Sequence, residues 1–342
     1  MPTRPPPDPA GPSTALQLLE RSAAQELQPA PRAAAPGATR PRAAATVAAR
    51  SHDWTQLKRW AAARGLVVEL PLSPELVGSW LAACAAGWDG RPRAVATLER
   101  YRTSLVHAHR AAGLPDPCSA ELVLDVMESA RRERGTDQRQ AHPLSVAQLR
   151  AICAQLGTGV HAARDRALLV VTFAGGFRAS EVVGLCCRDL IYDDRGAIVT
   201  VTRSKTDQHG RGRRVRLPYG SDALTCPIRT LGTWQLVRGV EEPDPATPLF
   251  LSLRCDQVVP GQRIHRHTVD RLVKRGVTTL GLDAGLYSSH SLRSGLVTAA
   301  RAAGHSAAVV MRQTGMRSLT TLERYDRDPD LTGPCAASGI GL

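Results

Sequence analysis

The chain has 342 residues, and its 44 basic against 31 acidic side chains give a formal net charge of +13. Hydrophobic residues make up 43% of it, enough for a packed core, and a chain of this length is expected to form about two domains. No apolar run reaches the roughly 18 residues of a membrane span, and the first twenty residues hold no apolar signal segment. The cysteines form no CxxC pair, which argues against a zinc site or a disulfide framework. We therefore expect a cytoplasmic protein without a membrane segment.

The positive charge is carried almost wholly by arginine. Only Lys58, Lys205 and Lys274 are lysines, and every other basic residue apart from the histidines is an arginine. A surplus of this size indicates a polyanionic partner, for which nucleic acid is the natural choice, although a basic surface can also serve solubility alone. The segment 1–45 holds five arginines and three acids, so most of the surplus lies in the rest of the chain.

The segments 1–45 and 46–137 differ in composition. Ten of the 24 prolines fall in 1–45, which cannot bury enough apolar surface to offset the entropy cost of ordering, and we predict a disordered tail there. The segment 46–137 has helical periodicity instead, with one helix predicted to begin at Ser73-Pro74-Glu75. This predicts a small all-helical domain, followed by a polar linker over 138–143.

The segment 144–330 mixes helical and strand patterns. Its first helix begins with a capping box formed by Ser145 and Gln148, and the β-branched stretch 188–218, broken by two turns, predicts three antiparallel strands. The predicted helices cover 145–155, 161–174, 180–187, 226–238, 266–280, 290–303, 305–314 and 318–325. The predicted fold class is mainly α with a small antiparallel β-sheet, and residues 331–342 form a C-terminal tail.

Gly175-Gly176-Phe177-Arg178 places an arginine in the turn between two predicted helices. There a planar guanidinium can bind an anion beside the N–H groups of a helix start. Glu181 follows three residues later and can hold this arginine. Such a pair at a helix start is also a common structural feature.

The predicted hairpin contains Arg203-Ser204-Lys205-Thr206-Asp207, and the residues around it are rich in positive charge. Such a ribbon can simply be a solvated basic surface. Its lysine, however, is one of three in the chain, and a lysine beside other cations can donate a proton where an arginine effectively cannot.

Two further motifs lie near the end of the chain. His290-Ser291-Leu292-Arg293 puts a histidine and an arginine on one helix face, near the positive end of a helix that Ser288 or Ser289 would cap, where together they can clamp a phosphate. The other motif ends in Tyr325, whose hydroxyl is a weak nucleophile unless cations surround the group that it attacks.

In their order along the chain, five chemistry-bearing residues resemble the active-site series of the tyrosine recombinase (phage integrase) family: Arg178, Lys205, His290, Arg293 and Tyr325. The stretches around them are similar too, namely GGFRASEVVGL, RSKTD, HSLRSG and TGMRSLTTLERY. The resemblance implies an all-helical core-binding domain over 46–137 and a mixed α+β catalytic domain over 144–330.

The same resemblance implies that the protein cuts and rejoins duplex DNA at specific sites through a covalent 3′-phosphotyrosine. Arg178, His290 and Arg293 would bind the scissile phosphate, Lys205 would protonate the leaving 5′-oxygen, and Tyr325 would attack. Neither a metal nor another cofactor is expected. The protein would act as a tetramer assembled on DNA.

Supporting and DNA-contacting residues complete the expected site. Glu181 would hold the first arginine. Met316 stands where the family usually has a histidine or a tryptophan, and its thioether can pack but has no N–H to give to a phosphate oxygen. The residues expected to contact DNA are Arg203, Arg211 and Arg213.

Two other functions share these features. One is a DNA-binding relative that has lost catalysis, of which Met316 would be the first sign. The other is a type IB topoisomerase, which would relax supercoils without a second DNA partner.

Overall fold

The computed structural model describes residues 44–135, 140–202, 212–239 and 244–323. The chain divides into two compact units, Met1–Arg139 and Gln140–Leu342. Several sequence-based predictions fall outside the described residues: nearly all of the predicted N-terminal tail, the predicted C-terminal tail, and the site residues Arg203, Lys205, Arg211 and Tyr325.

The first unit is helical in its described residues. Its helices are α1 (Ala44–Ala62), α2 (Pro74–Ala86), α3 (Val95–Ala111) and α4 (Glu121–Arg134), with a 3₁₀ turn at Pro117–Ser119. The predicted start of α2 is confirmed, because the Ser73 hydroxyl accepts a hydrogen bond from the backbone N–H of Leu76 at 3.2 Å. Trp80 of α2 stacks on Tyr101 of α3 with ring centroids 4.8 Å apart, and both rings lie in the core of this unit.

The second unit combines helices with two small antiparallel sheets, as far as its described residues show. Its elements are α5 (Val146–Gln155), α6 (Val160–Gly175), α7 (Ala179–Gly184), β1 (Leu190–Asp193), β2 (Gly196–Val201), β3 (Arg213–Pro218), α8 (Pro227–Val237), β4 (Leu251–Arg254), β5 (Gln257–Arg263), α9 (His267–Thr279), α10 (His290–Ala302), α11 (Ala307–Thr314) and α12 (Leu319–Glu323). The predicted fold class is confirmed. Among the helices described in either unit, none combines the length and the apolar character that crossing a membrane would require.

Helix α6 runs through the core of the second unit. Most of its residues are buried, including Leu168, Val171 and Phe173, and it packs against α8, α9 and α10. A helix that is apolar on nearly every side is held by its neighbours along its whole length. Its C-terminal end, from which the Arg178 turn departs, is therefore fixed in position.

The first sheet has the strand order β1-β2-β3, as the sequence predicts for 188–218. Val199 in β2 pairs with Leu190 on one side and with Val215 on the other. Side chains at every second position of β3 face the core, since Val215 and Leu217 are fully buried while their neighbours are exposed.

The hairpin of β4 and β5 is an element that the sequence analysis did not predict. Its tip residues Cys255 and Asp256 have φ angles of 47° and 61°, a left-handed conformation that usually calls for glycine or asparagine. Because the tip holds no glycine, the usual turn signal is absent from the sequence. The predicted helix over 180–187 is also shorter than expected, since α7 ends at Gly184.

Candidate active site

The turn between α6 and α7 is shaped by two glycines. Gly176 ends α6 with a φ of 58°, and a Cβ at Gly175 would lie 2.0 Å from the Phe177 ring. The chain can therefore reverse tightly after a buried helix. The reversal places Arg178 at the N-terminal boundary of α7, with its side chain 22% exposed.

Glu181 holds Arg178 as the sequence analysis expected. Its Oε1 accepts a hydrogen bond from Nη1 of Arg178 at 2.7 Å, and its Oε2 accepts one from the backbone N–H of the same arginine at 2.9 Å. The Glu181 side chain is only 1% exposed. Side chain and backbone of Arg178 are thus both fixed by one buried carboxylate.

A second arginine, Arg213 at the first position of β3, binds the same carboxylate. Its Nη1 donates to Oε1 of Glu181 at 3.2 Å and its Nη2 donates to Oε2 at 2.9 Å, a two-pronged contact. The Arg213 side chain is 14% exposed, and its guanidinium carbon lies 5.8 Å from the centre of the Phe177 ring. The sequence analysis placed Arg213 among the DNA contacts and missed this pairing.

The signal for the pairing was present in the strand pattern. Arg213 shares the inward parity of β3 with Val215 and Leu217, whereas Arg214 and Arg216 have the outward parity. An arginine on the buried face of a strand needs a charged partner, and a carboxylate is the natural one. The period of two therefore separates Arg213 from the surface arginines of the same strand.

The pKa of Glu181 is lowered although the group is buried. Burial alone would raise it, but the hydrogen bonds and the charge of Arg213, followed by those of Arg178, outweigh that effect. The carboxylate is therefore ionised at neutral pH.

The start of α10 brings the other two described residues of the series to the same place. The Ser288 hydroxyl accepts a hydrogen bond from the backbone N–H of His290 at 3.1 Å, which makes Ser288 rather than Ser289 the capping side chain. Arg293, one turn later, is only 1% exposed, and its Nη1 donates to the carbonyl of Gly176. This contact ties α10 directly to the Arg178 turn.

The positive charges of Arg293 and Arg178 both act on the imidazole of His290. Burial lowers its pKa from 6.5 to about 4, and the positive charges of Arg293 and then Arg178 act in the same direction. The imidazole of His290 is therefore neutral at pH 7. Arg293 lies one turn after His290 on α10 and contacts the Gly176 carbonyl next to the Arg178 turn.

Met316 directly follows Gly315, which ends α11 in the left-handed conformation. It is 6% exposed and packs in an apolar cluster with Val297, Val310 and Leu322. In this position the methionine joins α10, α11 and α12 by apolar packing.

The structure thus brings together Arg178, Glu181, His290 and Arg293, and it sets Met316 in the layer beneath α12. The remaining predicted site residues lie outside the described residues, so their positions are not part of this geometry: Arg203, Lys205, Arg211 and Tyr325. In the described ranges, no group of three or more His, Cys, Asp or Glu side chains is placed to hold a metal ion.

Comparison with known proteins gives a consistent result. Residues 142–330 match the model of the phage integrase family. An integrase/recombinase XerD homolog of Selenomonas ruminantium is 32% identical over 82% of this chain and 80% of that protein. The tyrosine recombinase XerC of Corynebacterium glutamicum is 31% identical over 47% of this chain and 46% of its own length.

Solved structures with a similar fold include two recombinase complexes. The XerH site-specific recombinase bound to its palindromic difH substrate has a TM-score of 0.61 at 16% identity, covering 82% of this chain and 75% of that one. A lambda integrase dimer bound to a COC′ core site has a TM-score of 0.59 at 16% identity, covering 94% and 79%. At this level of identity the likeness concerns the fold.

Proposed function

The chain belongs to the phage integrase family of tyrosine recombinases, enzymes that cut and rejoin DNA, and we propose that it acts at specific sites in duplex DNA through a covalent 3′-phosphotyrosine on Tyr325. The resemblance predicted from the motifs is confirmed at the level of the family. The role of each residue is part of the proposal.

One observation supports the proposal most strongly: Arg178, His290 and Arg293 meet at the starts of two helices. Arg293 donates to the Gly176 carbonyl two residues before Arg178, and the charges of both arginines lower the pKa of His290. Two guanidinium groups beside helix starts form a site for a tetrahedral anion. A scissile phosphate bound there would be held by groups that the fold has already ordered.

During cleavage the Tyr325 hydroxyl attacks the phosphorus, and negative charge builds up on the phosphate oxygens. Arg178 and Arg293 stabilise this charge, and they do so without reorganising because Glu181 and the Gly176 carbonyl already hold them. His290 contributes a hydrogen bond rather than a charge, because its imidazole is neutral at pH 7. The positive charge at the phosphate comes from Arg178, Arg293 and the proposed Lys205, and the proposed mechanism calls for no cofactor.

The bond that breaks joins the phosphorus to the 5′-oxygen of the next nucleotide. Lys205 would protonate that oxygen as it leaves, since an ammonium group beside other cations has a lowered pKa and can give up its proton. Rejoining is the reverse: the 5′-hydroxyl of the same or of another strand attacks the phosphotyrosine. The energy of the phosphodiester is kept in the phosphotyrosine bond, and ATP is not needed.

The partner of this site is duplex DNA, and the charge of the chain fits it. A net charge of +13 favours binding to a polyanion, and the two similar solved structures are a XerH recombinase bound to its difH substrate and a lambda integrase dimer bound to a core site. The helical unit would serve as the core-binding domain, with residues 46–137, and the catalytic domain would cover 144–330. Exchange between two duplexes breaks four strands, which calls for a tetramer. We expect this tetramer to act in the cytoplasm.

The proposal is tested by looking for protein covalently attached to DNA. Fragments of the DNA that flanks the gene are incubated with the protein, and the products are separated under denaturing conditions. We expect a covalent adduct with the wild-type chain and none with Tyr325→Phe, which loses one hydroxyl and should bind DNA with unchanged affinity. A band-shift assay measures that affinity.

Three results would contradict the proposal. Binding without any adduct for the wild type indicates a DNA-binding relative that has lost catalysis. Relaxation of supercoiled plasmid by the protein, without exchange between two sites, indicates a topoisomerase. Equal adduct with Tyr325→Phe means that another residue is the nucleophile.

A further inference from the structure

Glu181 is a buried carboxylate shared by two arginines, of which only Arg178 belongs to the expected active-site series. We propose that Arg213 is a positioning residue that offsets the charge of Glu181, so that Arg178 keeps its positive charge and its orientation for the scissile phosphate. This inference rests on the proposed function, because it assigns a purpose to Arg213 only if Arg178 binds that phosphate.

The geometry divides the carboxylate unequally. Arg213 uses two guanidinium nitrogens, one on each oxygen of Glu181, at 3.2 and 2.9 Å. Arg178 uses a single side-chain nitrogen, Nη1, on Oε1 at 2.7 Å, and its backbone N–H takes Oε2. The two-pronged contact therefore lies on the arginine that points into the protein. The side chain of Arg178 is held through a single guanidinium nitrogen, Nη1.

The charges of the cluster lead to the same conclusion. Two guanidinium groups and one ionised carboxylate leave one net positive charge, whereas Arg178 and Glu181 alone would form a neutral pair. The low pKa of Glu181 depends first on Arg213 among its charged partners. Without Arg213 the buried carboxylate would have one cation left, and it would draw Arg178 inward. A phosphate approaching such a pair would meet no net charge.

Packing fixes Arg213 in this role from three sides. Its stem lies on the buried face of β3, its guanidinium lies near the Phe177 ring, and its Nη1 lies against Gly315. A Cβ built on Gly315 would be 2.8 Å from that nitrogen. Because both terminal nitrogens of its guanidinium bind Glu181, Arg213 is assigned to the carboxylate rather than to DNA.

The test uses a cleavage site found by the adduct experiment, made as two synthetic duplexes. One has the ordinary scissile phosphate, and the other has a methylphosphonate, in which a methyl group replaces one charged oxygen. The neutral group needs less positive charge to be cleaved. Arg213→Met is the main variant, because it removes the charge and keeps an apolar stem of similar length against Phe177.

With the ordinary phosphate, we expect Arg213→Met to cleave about 10²-fold more slowly than the wild type, comparable to the loss of one pre-positioned donor. With the methylphosphonate, the ratio of wild-type to variant rate should shrink to roughly threefold or less, because that substrate no longer depends on the net charge. Adding Glu181→Gln to Arg213→Met restores one net positive charge at Arg178. This double variant should recover at least about tenfold on the ordinary phosphate, a non-additivity within the range for contacting groups.

Arg216→Ala is the matched control. Arg216 lies on the exposed face of the same strand and pairs with Asp193 at the surface, so its removal deletes an equal charge without touching Glu181. We expect its cleavage rate to stay within about threefold of the wild type on both substrates, as for an exposed ion pair. Thermal unfolding of every variant checks the fold.

A second variant keeps the inference testable if Arg213→Met does not fold. Arg213→Lys preserves the charge without the fork, and we expect it to lie within about tenfold of the wild type. A folded lysine variant that loses 10²-fold or more would overturn the charge argument.

The other outcomes are equally decisive. An equal loss on both substrates, with no recovery in the double variant, means that Arg213 only supports the fold. A rate for Arg213→Met that matches Arg216→Ala means that it has no role. Either result would overturn this inference while leaving the proposed function intact, whereas a wild-type chain that forms no adduct overturns the proposed function itself.

Discussion

Two buried carboxylates of the second unit, Glu181 and Asp165, each bind two arginines, and Glu181 is the one that holds an arginine of the proposed active site. Asp165 in the interior of α6 accepts from Arg164 at 2.7 Å and from Arg275 at 3.0 Å. Its side chain is 4% exposed, close to the 1% of Glu181. The number of cations around the carboxylate is therefore the same in both clusters.

The clusters differ in what surrounds the more exposed arginine of each, called here the outer arginine: Arg178 beside Glu181 and Arg275 beside Asp165. Arg178 is 22% exposed at the start of α7, with His290 at the start of α10 under its influence. Arg275 is 62% exposed and lies within α9, where the backbone N–H groups are already used by the helix. We propose that a paired arginine serves as an anion site where helix starts and a second cation converge on it. A cluster without that convergence ties helices together.

The largest expected effect separates the two outer arginines. Arg178→Ala should lower the rate of DNA cleavage by about 10²- to 10³-fold, because a charge aimed at the scissile phosphate is lost. Arg275→Ala should cleave at the wild-type rate, since its side chain is 62% exposed and its ion pair within the described part of the chain is with Asp165. Adduct formation under single-turnover conditions measures both. Comparable losses in the two variants would show that the Asp165 cluster also serves the reaction.

An effect of intermediate size is expected in the stability of the protein at acidic pH, through His290. The folded-state pKa of His290 is about 4, below its ordinary value of 6.5, so the unfolded chain binds a proton that the folded chain does not between these values. This group should therefore lower the free energy of unfolding by about 3 kcal/mol as the pH falls from 6.5 to 4, and by nothing above 6.5. Denaturant titrations of the wild type and of His290→Asn across this range measure it. If the difference between the two proteins stays constant with pH, His290 is not buried in neutral form.

The smallest expected effect concerns the pKa of His290 itself. Burial is the main cause of its low value, followed by Arg293 and then Arg178. Arg178→Ala should therefore raise this pKa only part of the way back towards 6.5, and Arg275→Ala should leave it unchanged. Nuclear magnetic resonance of the imidazole protons gives the titration curve. If Arg275→Ala shifted the pKa of His290 as much as Arg178→Ala does, the charge of the Asp165 cluster would also act on His290.

Local patterns in the sequence were sufficient to predict most of the helices and the first sheet. The cap of α2 at Ser73 and the capping box of α5 at Ser145 are formed as expected, because these side chains act on backbone groups only three residues away. The hairpin of β4 and β5 was not predicted, because Cys255 and Asp256 adopt a left-handed conformation and the tip lacks the glycine that usually signals such a turn.

The site was predictable only in part. Arg178, His290 and Arg293 were singled out by their positions in a turn and on a helix face and by the resemblance of their stretches to a known series. No local pattern predicts that α10 meets the α6–α7 turn. The pairing of Arg213 with Glu181 depends on two elements that meet in space. The alternation of side chains along the strand indicates that Arg213 faces inward, but it does not indicate which carboxylate Arg213 contacts.

The contact between Gly315 and Arg213 has a consequence for engineering this protein. Gly315 has a φ of 70°, and any side chain there would press on the Arg213 guanidinium. A mutational library that randomises the α11–α12 turn will return glycine at this position under selection for activity, while Met316 tolerates other apolar residues of its size. Attempts to retarget or stabilise the turn therefore have one position that must be held constant, and it is a residue with no side chain of its own.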